Sequence, residues 1–244
     1  MIVLIAFATF VATLVGGLLA IRFRDHLHLV LGFSAGAVVG VAFFDLLPEA
    51  IGLGSRFFDV ATVTTIVALG FLCYLCIDRT IVFLSPHGPE DIAEHVHGSH
   101  QRGILGAGSL SVHSFLDGLA IGLAFQASAA IGWVVAFAVL AHDFSDGINT
   151  VNLILKNQGE RQKALRWLLI DAVAPVLGAG STLFFTLPEK SLSVILALFS
   201  GFFLYIGASD LIPESHHRHP RLLTTVMTLL GALILFAAVM IASL

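Results

Sequence analysis

The feature that most constrains this chain is a run of apolar residues about 20 long, recurring from one end of the sequence to the other. That is the length a helix needs to cross the hydrocarbon core of a bilayer. Composition agrees: 57% of residues are hydrophobic, 11% are charged, and the mean hydropathy is +0.97, against roughly 25% charged in an average soluble domain. A soluble globule is excluded. A transmembrane barrel would need short alternating strands, and the sequence has none. Backbone polar groups in lipid must then be satisfied within helices. The expected fold is all-α and polytopic, with eight transmembrane helices at about 2–21, 29–50, 60–84, 103–126, 129–155, 164–186, 191–212 and 222–243. A single integral membrane domain is expected over 1–244, with a histidine-rich loop at 85–101. The first apolar run lacks a basic leader and a small-residue cleavage site, so it reads as a retained span rather than a signal peptide.

Eight spans sort the basic residues. Arg22, Arg24, Arg79, Arg102, Lys156, Arg161, Lys163, Arg166, Arg218 and Arg221 fall on one side, while only Arg56 and Lys190 fall on the other. Basic loops stay cytoplasmic, so both termini are expected outside. The loop after the third span carries His87, His95, His97 and His100 among Glu90, Asp91 and Glu94. His216, His217 and His219, with His26 and His28, fall on the same side. Imidazole is a common transition-metal ligand, and together these residues read as a metal-collecting surface. Any one of them alone reads as polar filler. The net charge of −4 is small, and no nucleic-acid partner is expected.

Two short strings each occur twice. His113-Ser-Phe-Leu-Asp117-Gly118 in the fourth span and His142-Asp143-Phe-Ser-Asp146-Gly147 in the fifth share H-x-F-x-D-G. Asp45-Leu-Leu-Pro48-Glu49 ends the second span, and Asp210-Leu-Ile-Pro213-Glu214 ends the seventh. The paired spans run in opposite directions. This nesting reads as an inverted 3+2+3 repeat, the sequence trace of a secondary transporter with a site near the midplane. Gly32, Gly36 and Gly40 form a small-residue ladder suited to close helix packing. Pro48, Pro175 and Pro213 have two readings of equal weight, a helix bend or simple helix termination.

Residues four apart share a helix face, so His113 sits over Asp117 and His142 over Asp146, with Asp143 joining that face. Two neighbouring helices can therefore converge two imidazoles and three carboxylates. Three buried aspartates would cost on the order of 8–10 kcal/mol, and neither span holds a Lys or Arg to offset them. A divalent cation or protons must do so. The mixed donor set points to Zn²⁺ first, then Fe²⁺ or Mn²⁺, with Cd²⁺ as an opportunist. Mg²⁺ or Ca²⁺ would call for oxygen ligands alone. Ser114, Ser145 and Asn149 are either secondary ligands or groups that join helices and orient the aspartates. Cys73 and Cys76 read as packing residues, with a thiol metal or redox site as the minority alternative.

At these residues the chain resembles the ZIP family of divalent-metal transporters over essentially its whole length. The family's fourth-span pattern H-x-x-x-[ED]-G-x-A-[IL]-G is met by His113 to Gly122, and its fifth-span pattern by His142 to Gly147. The resemblance implies metal import toward the cytosol by alternating access and a location in the plasma (inner) membrane. It also implies a homodimer, and movement of the first, fourth, fifth and sixth spans against the other four. The chain departs from the pattern in several places. Asp117 and Asp146 stand where glutamate is frequent, and Leu116 and Ser145 replace prolines. Pro175 takes the place of a sixth-span glutamate, leaving Asp171 as the nearest acid. One principal site is therefore expected, at His113, Asp117, His142 and Asp146 with Asp143 at its margin. Asp45, Glu49, Asp210 and Glu214 are expected to form an entrance or exit relay. The rival reading is an intramembrane zinc hydrolase with a metal-activated water.

Overall fold

A computed structural model describes residues 2–22, 27–84, 94–156, 160–216 and 222–242. Among these there is no strand, and eight helices are long and apolar enough to cross a membrane: Ile2–Ile21, Leu29–Gly54, Val60–Thr80, Gly103–Ala127, Ala129–Leu155, Arg161–Phe184, Glu189–Ser209 and Leu222–Ile241. They are the first to eighth spans. The helix of the fourth span begins at Glu94, so residues 94–101, expected as loop, continue that helix. The remainder of that loop, with His87, lies outside the described residues, as do His26, His217 and His219. Cys73 and Cys76 are free and exposed on the outer face of the third span.

Helix packing divides the spans into two groups. The first, fourth, fifth and sixth pack on one another, and the second, third, seventh and eighth do the same. The contact that joins the groups is chiefly that of the second span with the fifth. Lipid supplies no hydrophobic drive for helices to associate, so close backbone approach has to hold each group together. Glycine provides it in reciprocal pairs. A Cβ on Gly16 would overlap the Phe144 carbonyl, and one on Gly147 the Thr13 carbonyl, where the first and fifth spans cross. Gly118 and Gly178 meet the carbonyls of Pro175 and Phe115 where the fourth and sixth cross. Gly36 and Gly231 do this for the second and eighth, and Gly70 and Gly201 for the third and seventh. A 3+2+3 inversion exchanges first with sixth, second with seventh, third with eighth and fourth with fifth. The four crossings exchange in pairs under that operation, so the packing carries the repeat that the two strings announced.

The D-L-x-P-E strings do not terminate their helices. Each begins inside a turn of π-helix, Ala42–Leu46 in the second span and Ile206–Leu211 in the seventh, and α-helix resumes beyond it. The cause is local. A proline lacks the amide that would bond four residues back, and the residue before it reaches one carbonyl further. Leu47 donates to the Ala42 carbonyl, and Ile212 to that of Gly207. Both prolines thus sit one residue past the same widened turn. Pro175 lies inside an unbroken helix, Arg161–Ser181, so none of the three prolines ends a helix.

Candidate metal centre

The fourth and fifth spans remain helical through both H-x-F-x-D-G strings, which places each histidine over its aspartate. His113, Asp117, His142 and Asp146 are all buried, and one ligand atom from each lies within 4.8 Å of every other. Among the described residues no other group of three or more His, Cys, Asp or Glu side chains converges this way. The Nε2 atoms of His113 and His142 both lie 3.2 Å from Asp117 Oδ2 and 3.8 Å from Asp146 Oδ2. Ligands about 2.0–2.2 Å from a tetrahedral Zn²⁺ stand roughly 3.3–3.6 Å apart. The four His-to-Asp separations bracket that spacing, close enough for one ion to reach all four side chains after small adjustments.

The surroundings orient this set. His142 Nδ1 lies 2.9 Å from the Ala138 carbonyl, an oxygen that can only accept. Nδ1 therefore carries the proton of a neutral ring and Nε2 presents its lone pair, the tautomer a metal ligand needs. The other group of spans supplies an aromatic wall. Tyr74 meets the His113 ring edge-on at 6.2 Å and Phe203 meets His142 at 6.0 Å. The crevice beside His113 is too tight to admit a water molecule and is lined by Tyr74, Phe199, Phe202 and Phe203, with Leu116 and Ile206. Tyr205 extends the wall, its hydroxyl donating to Asp78 Oδ2 at 2.8 Å.

The other expected residues fall outside the four-membered cluster. Asp143 is fully buried with neither carboxylate oxygen hydrogen-bonded, and being next to His142 it points about a quarter-turn away from that side chain. Asp171 is fully buried and occupied: Ser114 donates to Oδ1 and Thr150 to Oδ2, each at 2.8 Å. It ties the fourth, fifth and sixth spans together, and Ser114 acts as an orienting donor. Asn149 is half-buried, while its neighbour Thr150 makes the contact. Thr150 carried no signal in the sequence, since its partner is on another helix. Ser145 bonds Ser34 of the second span, at 3.0 Å between the hydroxyl oxygens. Asp45 is buried in the second-span π turn and Glu49 is half-buried one turn on. The side chains of His95, His97, His100, Asp210 and Glu214 lie outside the described residues.

Residues 84–238 match the family profile described as ZIP zinc transporter. Among curated relatives, zinc transporter ZupT of Corynebacterium efficiens is 28% identical over 247 residues, covering 93% of this chain and 91% of that protein. Zinc transporter ZIP13 of Pongo abelii is 25% identical over 201 residues, covering 78% of this chain and 58% of that protein. Zinc transporter YKE4 of Saccharomyces cerevisiae is 23% identical over 216 residues, covering 78% and 62%. The chain thus spans about three fifths of the length of these two eukaryotic relatives.

Proposed function

Because this chain belongs to the ZIP zinc transporter family, we propose that it carries divalent transition-metal ions across a bilayer, zinc foremost, by exposing the His113, Asp117, His142 and Asp146 site alternately to the two sides. The observation that carries this reading is the cluster itself, two imidazoles and two carboxylates converging within 4.8 Å of one another, buried in mid-span. Carboxylates and imidazoles release a borderline ion faster than thiolates do, which suits cargo better than a structural metal. The donor set also admits Fe²⁺, Mn²⁺ and Cd²⁺. Asp143 stands at the margin of the cluster, and Asp171 fixes the helices that present it.

The basic loops make one side cytoplasmic, which puts both termini outside; likeness to the family implies import toward the cytosol and a place in the plasma (inner) membrane. A homodimer accords with the family. The acids of the two D-L-x-P-E strings stand toward opposite faces and relay ions to and from the centre, while the histidines of 94–101 collect ions on the cytoplasmic side. An intramembrane hydrolase finds no support in the family or in the relatives' names.

Purified protein in liposomes containing a fluorescent zinc indicator tests the reading. Saturable uptake that is abolished in both His113→Ala and Asp117→Ala is the expected result. Flux that stays linear with zinc concentration, or that survives both substitutions, overturns it.

A further inference from the structure

The two groups of spans meet chiefly where the second packs on the fifth, and at the depth of the metal centre that contact is polar. Ser34, fully buried, donates to the Ala141 carbonyl at 2.6 Å and lies 3.0 Å from Ser145 Oγ. With its own proton committed to Ala141, Ser34 accepts from Ser145. Ala141 precedes His142 and Ser145 precedes Asp146, so the turn that Ser34 grips is the one presenting two of the four ligands. No close glycine crossing reinforces this seam. Every described glycine with a neighbour within 4 Å has its nearest atoms in its own group of spans. Parting a crossing would unpack backbone, whereas parting Ser34 from the fifth span strands nothing. Ser145 stands four residues after Ala141 and can donate to that carbonyl itself, and Ser34 can turn to the Val30 carbonyl four residues back, as helical serines do.

We propose that Ser34 is a releasable latch: its bonds to Ala141 and Ser145 hold the ligand-bearing turn of the fifth span in register with the second, and each transport cycle exchanges them for bonds within each helix. The latch rests on the carrier reading above. It adds a positioning residue, outside the metal ligands, that sets how readily the loaded site changes sides.

Zinc uptake into liposomes is compared for wild type, for Ser34→Ala, and for a Ser34→Cys/Ser145→Cys pair built with Cys73→Ser and Cys76→Ser. A conformational step sets the turnover of many such cycles. Ser34→Ala removes both bonds and Ser145 regains one by turning to Ala141, so the net loss of one membrane hydrogen bond of average strength should raise the maximal rate about threefold, with the half-saturating zinc concentration unchanged. The oxidised cysteine pair should lose about tenfold or more of its uptake and recover when a phosphine reduces it, the reduced pair serving as the folding control. Ser34→Ala at or below the wild-type rate overturns the latch, as does an oxidised pair that transports as fast as its reduced form. A wild type without saturable uptake would instead overturn the carrier reading, and the latch with it.

Discussion

Asp117 and Asp171 are both fully buried carboxylates, and their neighbours give them different work. Asp117 Oδ2 stands between two imidazole nitrogens at 3.2 Å, whereas both oxygens of Asp171 accept hydroxyls from neighbouring spans. Asp171→Asn should therefore keep the centre but loosen it, weakening zinc affinity about 10- to 100-fold, as loss of an outer support does. Asp117→Asn should remove zinc binding in the same titration calorimetry. Abolished binding in Asp171→Asn alone would reverse the two assignments. Much of this centre was legible in the sequence. His113 with Asp117 and His142 with Asp146 are related by the helical period of one chain segment, and that period can be counted. Ser114, Thr150 and Asp171 meet because three helices are packed at a particular rotation, and no spacing records it. Asn149 and Thr150 are about 100° apart around a helix, and only the neighbours decide which of them faces Asp171.

At the level of elements, glycine marks where helices touch. Gly147→Ala would drive a methyl group into the Thr13 carbonyl, while Gly52→Ala would meet nothing within 4 Å. The first should destabilise the folded protein by about 1–3 kcal/mol or more and the second should not, as read by thermal unfolding in detergent. Equal behaviour of the two would contradict the crossing. Asp59 caps the third span, its Oδ1 accepting the Thr62 amide at 2.8 Å. Hydrogen bonds from the Thr62 side chain and backbone hold its carboxyl below the ordinary value of 3.8. A depressed carboxyl contributes stability that is present above the unfolded value and is lost as pH falls through the folded one. The stability gap between wild type and Asp59→Ala should thus stay level from about pH 7 to 5 and close below about pH 4. A gap that widened on acidification would contradict the cap. The π turns show what a sequence conceals. Pro48 and Pro213 announced that an amide was missing, but whether the helix ends, bends or widens depends on its neighbours. Ser200 Oγ bonds the Ala42 carbonyl, and Ser193 Oγ bonds that of Ala50, on either side of Pro48. The seventh span thereby holds the second helical across the gap.

Across the whole molecule, these elements form two groups of four spans, each held by backbone crossings, with the centre in one group and an aromatic wall on the other. The eight spans and their inverted order were readable because both follow from apolar run length and from two repeated strings. The division into groups was not, since the glycines that create it lie far apart in the chain, Gly16 against the turn at Phe144 and Gly118 against Pro175. Transport as proposed requires two imidazoles and two carboxylates from adjacent spans to hold the ion. X-ray absorption at the zinc edge of the loaded protein measures this directly. It should show only nitrogen and oxygen neighbours at about 2.0–2.2 Å, in a four-coordinate shell that is lost in His142→Ala. Sulfur neighbours at about 2.3 Å, placing zinc on Cys73 and Cys76, or a shell unchanged by His142→Ala, would contradict it.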